Sequence, residues 1–180
     1  IDMANCHSNI YLAFAKHHKL PHSGLTKYCK DPKVLRESII KFHFPQLATE
    51  KDPTKCKEYK DMAKNLIIRI ANGGGYKEWK NDHKLTDTRQ HLGVLELKAE
   101  LNIIMDKVFK HNQHILKDVQ KTKQERFSES KNKKTVMSLW SQTVERHLQE
   151  CAIKFLTTSE RCDIESIIPC QDGLMIRKEF

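Results

Sequence analysis

Residues 135–176 constrain the fold of this 180-residue chain more than any other stretch. Two short apolar runs flank Asp172-Gly173 there and predict a β-hairpin, because Asp-Gly readily adopts the positive φ angles of a tight turn. Upstream, apolar side chains recur at steps of three and four, which predicts one long amphipathic helix with Gln142 and Glu145 off its apolar face. The stretch therefore predicts a carboxylate at the tip of a ribbon that packs against a long helix. The apolar positions of that helix are Val136, Leu139, Trp140, Val144, Leu148, Cys151, Ala152 and Phe155.

Apolar periodicity also predicts the elements before this stretch. Residues 1–4 alternate between apolar and polar side chains, which predicts a short strand that turns directly into a helix. Three further helices are predicted over residues 32–42, 54–71 and 94–119. The helix over 54–71 is expected to end at a glycine C-cap, since Asn72 and three glycines follow it.

Two polar stretches are predicted to be loops. The first covers residues 21–32, and the second is the lysine-rich run of residues 120–134. Lys131, Lys133 and Lys134 in the second run are also candidate nucleic-acid contacts, because clustered lysines neutralise a phosphate backbone.

These elements predict an α+β fold that is mainly helical. A small antiparallel sheet is expected from strands near residues 1–4 and 166–178, within one module over residues 1–180. Because position 1 is Ile and the sequence begins inside the alternating pattern of the predicted strand, we expect this module to be part of a longer chain.

The charge of the chain predicts an anionic partner. Lys and Arg number 32 against 23 Asp and Glu, for a net charge of +9. Such a surplus points first to nucleic acid and second to an acidic membrane surface, while an ordinary lysine-rich protein is the plain alternative. No apolar run approaches the 18 residues that a membrane-spanning helix needs, so no membrane segment is predicted.

The six cysteines show no C-x-x-C pair and no repeated spacing. In a chain of this length without a signal peptide, that pattern predicts reduced structural thiols in an intracellular, reducing compartment.

Two acids at predicted strand ends suggest a metal-dependent chemistry. Asp2 and Asp172 are far apart in sequence, and two such carboxylates suit phosphoryl transfer with two divalent ions about 3.5–4 Å apart. Lys60 and Lys64 lie on one side of the 54–71 helix, where they would meet the negative charge of a triphosphate. Mg²⁺ is the expected ion, because carboxylate and phosphate oxygens are its preferred ligands.

The order and spacing of these residues resemble the family A DNA polymerases and the related single-subunit RNA polymerases. The run from Asp2 to His7 is similar to the family's first motif, a strand-end Asp that turns into a helix. Gln142 lies thirty residues before Asp172, as a Gln does before the last motif of the family. The matching residues on the 54–71 helix are Lys60, Lys64, Asn72 and Gly73, whose spacing is that of the motif on the fingers helix. The residues of these motifs look most like those of divergent polymerase-like proteins of large DNA viruses and mobile elements.

The resemblance implies a template-dependent nucleotidyltransferase with a palm-like sheet and helical fingers over about residues 30–120. Asp2 and Asp172 would be catalytic and would bind Mg²⁺ (or Mn²⁺). Lys64 would be catalytic as well, because it would contact the triphosphate and protonate the pyrophosphate leaving group. Lys60 would also bind the nucleotide, with the charge but not the bidentate fork of the family's Arg.

Four further residues receive roles from the same resemblance. Gln142 would touch the primer–template DNA, and Gly73 would let the template base pack on the end of the fingers helix. His7 stands where the DNA polymerases carry the Glu that excludes ribose, and Asn72 stands where they carry Tyr. Both are counted as nucleotide-binding residues, and the choice between ribose and deoxyribose stays open.

The last motif also departs from the family pattern. Gln171 and Gly173 replace the polar neighbours of the last Asp, which allows a weakened or lost activity. The alternative is therefore a noncatalytic, basic nucleic-acid-binding or scaffold domain derived from a polymerase palm.

Overall fold

Helix α8, Glu129–Thr158, is the longest element in the described part of the chain. A computed structural model describes residues 5–45, 52–123, 128–159, 163–170 and 173–176. Helices α1, α6 and α7 all pack against α8, which makes this helix the centre of the fold.

The other elements precede and follow α8 with short connections. The helices before it are α1 (Cys6–His17), α2 (Ser23–Lys30), α3 (Pro32–His43), α4 (Pro53–Ala71), α5 (Tyr76–Asp82), α6 (Leu92–His111) and α7 (Gln113–Lys123). After it come one 3₁₀ turn (Ile164–Ser166) and two strands, β1 (Ile167–Cys170) and β2 (Gly173–Ile176).

The core lies between the helices, on apolar faces with helical spacing. Helix α4 buries Leu66 and Ile70, and α6 buries Leu97 and Ile104. Trp79 of α5 is 1% exposed, and its indole N–H donates to the Met62 carbonyl at 3.1 Å. Burial of such side chains contributes about 1.5–3 kcal/mol each, which offsets the entropy lost on ordering the chain.

The structure confirms a mainly helical chain with a small antiparallel sheet. The helices predicted over 32–42 and 54–71 are α3 and α4, and each begins with Pro after an aspartate N-cap, Asp31 or Asp52. The predicted helix after residue 5 is α1. The strand predicted over residues 1–4 lies outside the described residues. In the described residues, no helix is long and apolar enough to cross a membrane.

The prediction of a loop over residues 21–32 is wrong. That segment contains α2, which buries Leu25 and Tyr28. Its first N–H groups are satisfied from far along the chain, because the Glu100 carboxylate accepts from Gly24 N at 2.9 Å and from Leu25 N at 2.8 Å. Local sequence carries no sign of a cap supplied 75 residues later.

The prediction of one helix over 94–119 is also wrong, because the chain breaks at Asn112 between α6 and α7. The Asn112 amide donates to the Val108 carbonyl at 2.8 Å, and the Gln113 amide donates to the Phe109 carbonyl at 2.7 Å. Side chains thus occupy carbonyls of the last turn of α6 and compete with continuation of the helix.

The lysine-rich run predicted as a loop over 120–134 is largely helical where it is described. Helix α7 extends to Lys123, and α8 begins at Glu129 after the N-cap Ser128, whose hydroxyl accepts from Lys131 N at 3.4 Å. The long straight side chains of Lys and Glu favour a helix once a cap and a packing partner are present. Among the lysines of this run whose side chains are described, Lys121 and Lys131 are exposed, whereas Lys133 and Lys134 are half-buried.

The hairpin forms where the sequence predicts it, with a different register. Ile167 pairs with Ile176, and Cys170 pairs with Gly173, so Gly173 belongs to β2. The two residues between the strands are thus Gln171 and Asp172, which lie outside the described residues, and the expectation that Asp172-Gly173 forms the turn is wrong.

Candidate functional site

A row of polar side chains runs along one side of α8. We call this row the polar stripe, and it consists of Lys134, Ser138, Ser141, Glu145 and Gln149. Their spacing of four, three, four and four residues places them on the same side of a helix. Three of them contact segments that hold predicted site residues, so the stripe defines the candidate site.

Lys134 is the first contact of the polar stripe, and it lies against Gly73. A Cβ atom on Gly73 would stand 2.8 Å from Cγ of Lys134. Gly73 has a φ of +72°, its N–H donates to the Ile70 carbonyl at 2.9 Å, and Gly74 N donates to the Arg69 carbonyl at 2.7 Å. These bonds close the C-terminus of α4 in a Schellman motif and bring it directly onto α8.

Glu145 is the second contact, and it holds the beginning of α1. Its Oε2 lies 3.1 Å from Nε2 of His7, and the residue is only 9% exposed. Tyr11 is buried next to it, one turn further along α1. Burial raises the pKa of the Tyr11 hydroxyl, and the negative charge of Glu145 raises that pKa further. The first turn of α1 is therefore anchored to α8 by the contact of His7 with the buried Glu145.

Gln149 is the third contact, and it holds the hairpin. Its side-chain amide donates to the Cys170 carbonyl at 2.7 Å. Cys170 is the last residue of β1, directly before the two residues that include Asp172. Since Glu145 and Gln149 are one turn apart, the start of α1 and the end of β1 attach to α8 about 6 Å apart along its axis.

Except for His7, which lies on α1, the predicted nucleotide-binding residues lie on or directly after α4. Lys60 and Lys64 are exposed, and Asn72 is the exposed C-cap residue. Gly73 faces Lys134, so the structure brings a predicted nucleotide-binding residue together with a predicted nucleic-acid-binding residue.

The other predicted nucleic-acid contacts lie along α8. Gln142 is exposed, beside the polar stripe, and its amide donates to the Ser138 hydroxyl at 3.2 Å. Lys131 is exposed near the start of the helix. Lys133 makes an ion pair of 2.9 Å with Asp106 of α6, so part of its charge is used within the protein.

Both predicted metal ligands, Asp2 and Asp172, lie outside the described residues. Among the residues that are described, no group of three or more His, Cys, Asp or Glu side chains is placed to hold a metal ion. The two acids supply the oxygen donors that Mg²⁺ prefers, and each lies within five residues of a segment that the polar stripe contacts.

Sequence reasoning missed Glu145 and Gln149 as site residues. Glu145 is named there only as a polar group off an apolar face, and Gln149 is not named. The sequence did contain a signal for them: the polar residues of this helix recur at steps of three and four, as regularly as the apolar residues do.

Comparison of the chain with protein-family models, with curated proteins and with solved structures gave no match.

Proposed function

We propose that the protein is a template-dependent nucleotidyltransferase of the DNA polymerase kind, which transfers a nucleotide to a primer 3′-hydroxyl with Mg²⁺ or Mn²⁺. In this proposal the hairpin is part of a palm-like sheet, and residues from about 30 to 120 form the fingers. The observation that carries it is the polar stripe, which contacts the three segments that hold the predicted motifs.

The spacing of those contacts suits one ligand that spans all of them. Lys134 and Gln149 are fifteen residues apart, which is about 22 Å along a helix. A triphosphate paired to a primer–template must meet metal-binding carboxylates, a cationic helix and the nucleic acid at once. In this proposal Asp2 and Asp172 would lie toward the Gln149 end of the row, because His7 contacts Glu145 and Cys170 contacts Gln149.

The chemical step forms one bond and breaks one. The primer 3′-oxygen would attack the α-phosphorus, and the bond from that phosphorus to the bridging oxygen would break. Mg²⁺ or Mn²⁺ held by Asp2 and Asp172 would supply charge neutralisation at the phosphates. Lys64 would give a proton to the leaving pyrophosphate oxygen, and Lys60 would bind the triphosphate.

The remaining predicted residues would position the substrates. Gly73 lacks a side chain at the end of α4, which would let the template base pack there, and Asn72 beside it would face the nucleotide. His7, with its ring fixed by Glu145, would lie near the sugar. Gln142, exposed beside the polar stripe, would contact the primer–template.

Primer extension tests this proposal against a noncatalytic nucleic-acid-binding or scaffold domain. The protein is given a primer–template, nucleoside triphosphates and Mg²⁺ or Mn²⁺, and extension is followed with Asp172→Asn. We expect at least about a 100-fold loss of extension, because a metal ligand is removed. Glu165→Gln is the matched control, since Glu165 is an exposed acid near the start of the same hairpin.

A second pair of variants tests the cationic helix. Lys64→Gln is expected to reduce extension by roughly 100-fold or more, while Lys57→Gln, an exposed lysine two turns earlier on α4, has little effect. Equal extension by Asp172→Asn and the parent would refute the role of that acid. DNA binding without extension under any metal would establish the noncatalytic alternative.

A further inference from the structure

An apolar groove lies between α1 and α8. It encloses about 580 Å³. Helix α1 contributes Ile10, Phe14 and His17 to its walls, and α8 contributes Trp140, Val144 and Leu148. None of the described residues that line this apolar groove is a carboxylate.

Aromatic rings are concentrated at one end of the apolar groove. Phe14 and Trp140 meet edge to face, with their centroids 5.0 Å apart. Phe14 also lies 4.3 Å from the ring of His18, which in turn lies 5.2 Å from the ring of His111 on α6. The aromatic wall therefore continues into a rim of imidazoles formed by His17, His18 and His111.

The rim gathers basic side chains, because Lys107 of α6 lies near the three histidines. Burial lowers the pKa of His18, and the neighbouring charges of His17, His111 and Lys107 lower it further. Basic side chains from the end of α1 and from α6 are thus close together, and such a cluster favours an anion.

We propose that this apolar groove binds an unstacked base of single-stranded nucleic acid, with the adjoining phosphates on the histidine rim. Every base has a π-face that stacks on aromatic side chains, and cationic groups beside such a platform follow the strand. Charge complementarity favours this occupant over a second copy of the chain, because two copies that each carry +9 repel one another.

The site goes beyond the proposed nucleotidyl transfer and is independent of it. Glu145 also contacts α1, at His7, but neither Glu145 nor Gln149 is among the described residues that line the apolar groove. A noncatalytic protein would bind a strand here equally well, so loss of extension and loss of strand binding are separate results.

The test compares an oligothymidylate with an abasic oligonucleotide of equal length, by fluorescence anisotropy at low salt. The parent should bind the oligothymidylate more tightly, because only that strand offers a base to the groove. Trp140→Leu should weaken oligothymidylate binding roughly 5- to 150-fold and leave abasic binding unchanged. Trp140→Phe keeps an aromatic ring and should stay close to the parent.

Two further measurements guard against a folding artefact. His17→Ala, at an exposed rim position, should weaken binding of both strands severalfold without altering the thermal transition. The chain has two tryptophans, and Trp79 is 1% exposed in the core, so quenching on addition of oligothymidylate reports on Trp140.

The inference is overturned if the parent binds both strands equally, or if Trp140→Leu binds oligothymidylate like the parent. Sedimentation that shows a dimer lost in Trp140→Leu, with strand binding intact, would assign the groove to self-association and overturn it as well.

Discussion

Glu145 of α8 holds His7 of α1 through a contact of 3.1 Å between Oε2 and Nε2, across a separation of 138 residues. Glu145 is buried, while the side chain of His7 is 36% exposed. The pair fixes the first turn of α1, directly after the segment that contains Asp2. In the proposed function, this is the contact through which α8 would position Asp2.

A double-mutant cycle of His7→Ala and Glu145→Gln measures the strength of this contact. We expect a coupling energy of about 0.5–1.5 kcal/mol in urea denaturation, reduced by solvent at the exposed imidazole. The exposed pair Lys27–Glu96, at 3.6 Å, is the control and should couple more weakly. A coupling within error of zero would show that His7 is held by packing alone.

Gly73 is the position where α4 ends against α8, and substitution there should be costly. Its φ of +72° disfavours any side chain except Asn, and a Cβ would meet Lys134. Gly73→Ala should lower the free energy of unfolding by about 1–2 kcal/mol. In the double variant with Lys134→Ala, only the part of the lost free energy of unfolding that comes from the clash between the new Cβ and Lys134 should be recovered. Unchanged stability of Gly73→Ala would mean that the end of α4 rearranges freely.

The sequence predicted the elements whose determinants are local. Asp31-Pro32 and Asp52-Pro53 mark the starts of α3 and α4, and Gly73 marks the end of α4. The hairpin was predicted from its two apolar runs, although its register was not. In each of these cases the side chains that set the element lie within a few residues of it.

The failures have causes that lie elsewhere in the chain or in the competition between side chains and backbone. Helix α2 depends on the distant carboxylate of Glu100. The break at Asn112 depends on whether a side-chain amide or a backbone N–H donates to the carbonyls in the last turn of α6. The candidate site was predicted as separate motifs. Their common attachment to α8 arises only in the folded chain, through His7–Glu145 across 138 residues and Gln149–Cys170 across 21 residues.

Glu100 is a buried acid whose role is to cap α2. Its carboxylate accepts two backbone N–H groups, and Glu100→Leu should leave both unpaired. We expect a loss of about 1–3 kcal/mol in the free energy of unfolding, and a smaller loss for Glu100→Gln, which keeps one acceptor. Glu96→Gln, one turn earlier and exposed, should change stability by less than about 1 kcal/mol. If Glu100→Leu leaves the free energy of unfolding unchanged, then α2 is held by the packing of Leu25 and Tyr28.

A buried network around His43 links α3, α5 and the segment before α6. His43 Nδ1 lies 3.3 Å from the Asp87 carboxylate, and Nε2 lies 2.6 Å from the Tyr76 hydroxyl. Because the carboxylate accepts, Nδ1 carries the proton and Nε2 accepts from Tyr76, whose oxygen accepts from His91 N at 3.1 Å. A neutral imidazole completes this network, since a protonated ring would leave Tyr76 with no acceptor.

Stability should therefore fall as the pH falls through the range in which histidine titrates in the unfolded chain. Burial lowers the pKa of His43, against the opposing hydrogen bond from Asp87, and burial lowers the pKa of His91 as well. Below about pH 6.5 the unfolded chain then binds more protons than the folded one, so stability is complete above that pH and is lost below it. Each histidine contributes at most about 1.4 kcal/mol per pH unit to the free energy of unfolding, measured in urea from pH 7.5 to 5.0. His43→Gln should flatten the dependence of the free energy of unfolding on pH. Glu100→Gln is the control, because it is also destabilised but keeps His43, so its dependence on pH should match that of the parent. Equal slopes for parent and His43→Gln would mean that folding leaves the pKa of His43 unchanged. A steeper slope in His43→Gln would mean that the ring is protonated in the folded core, in an ion pair with Asp87.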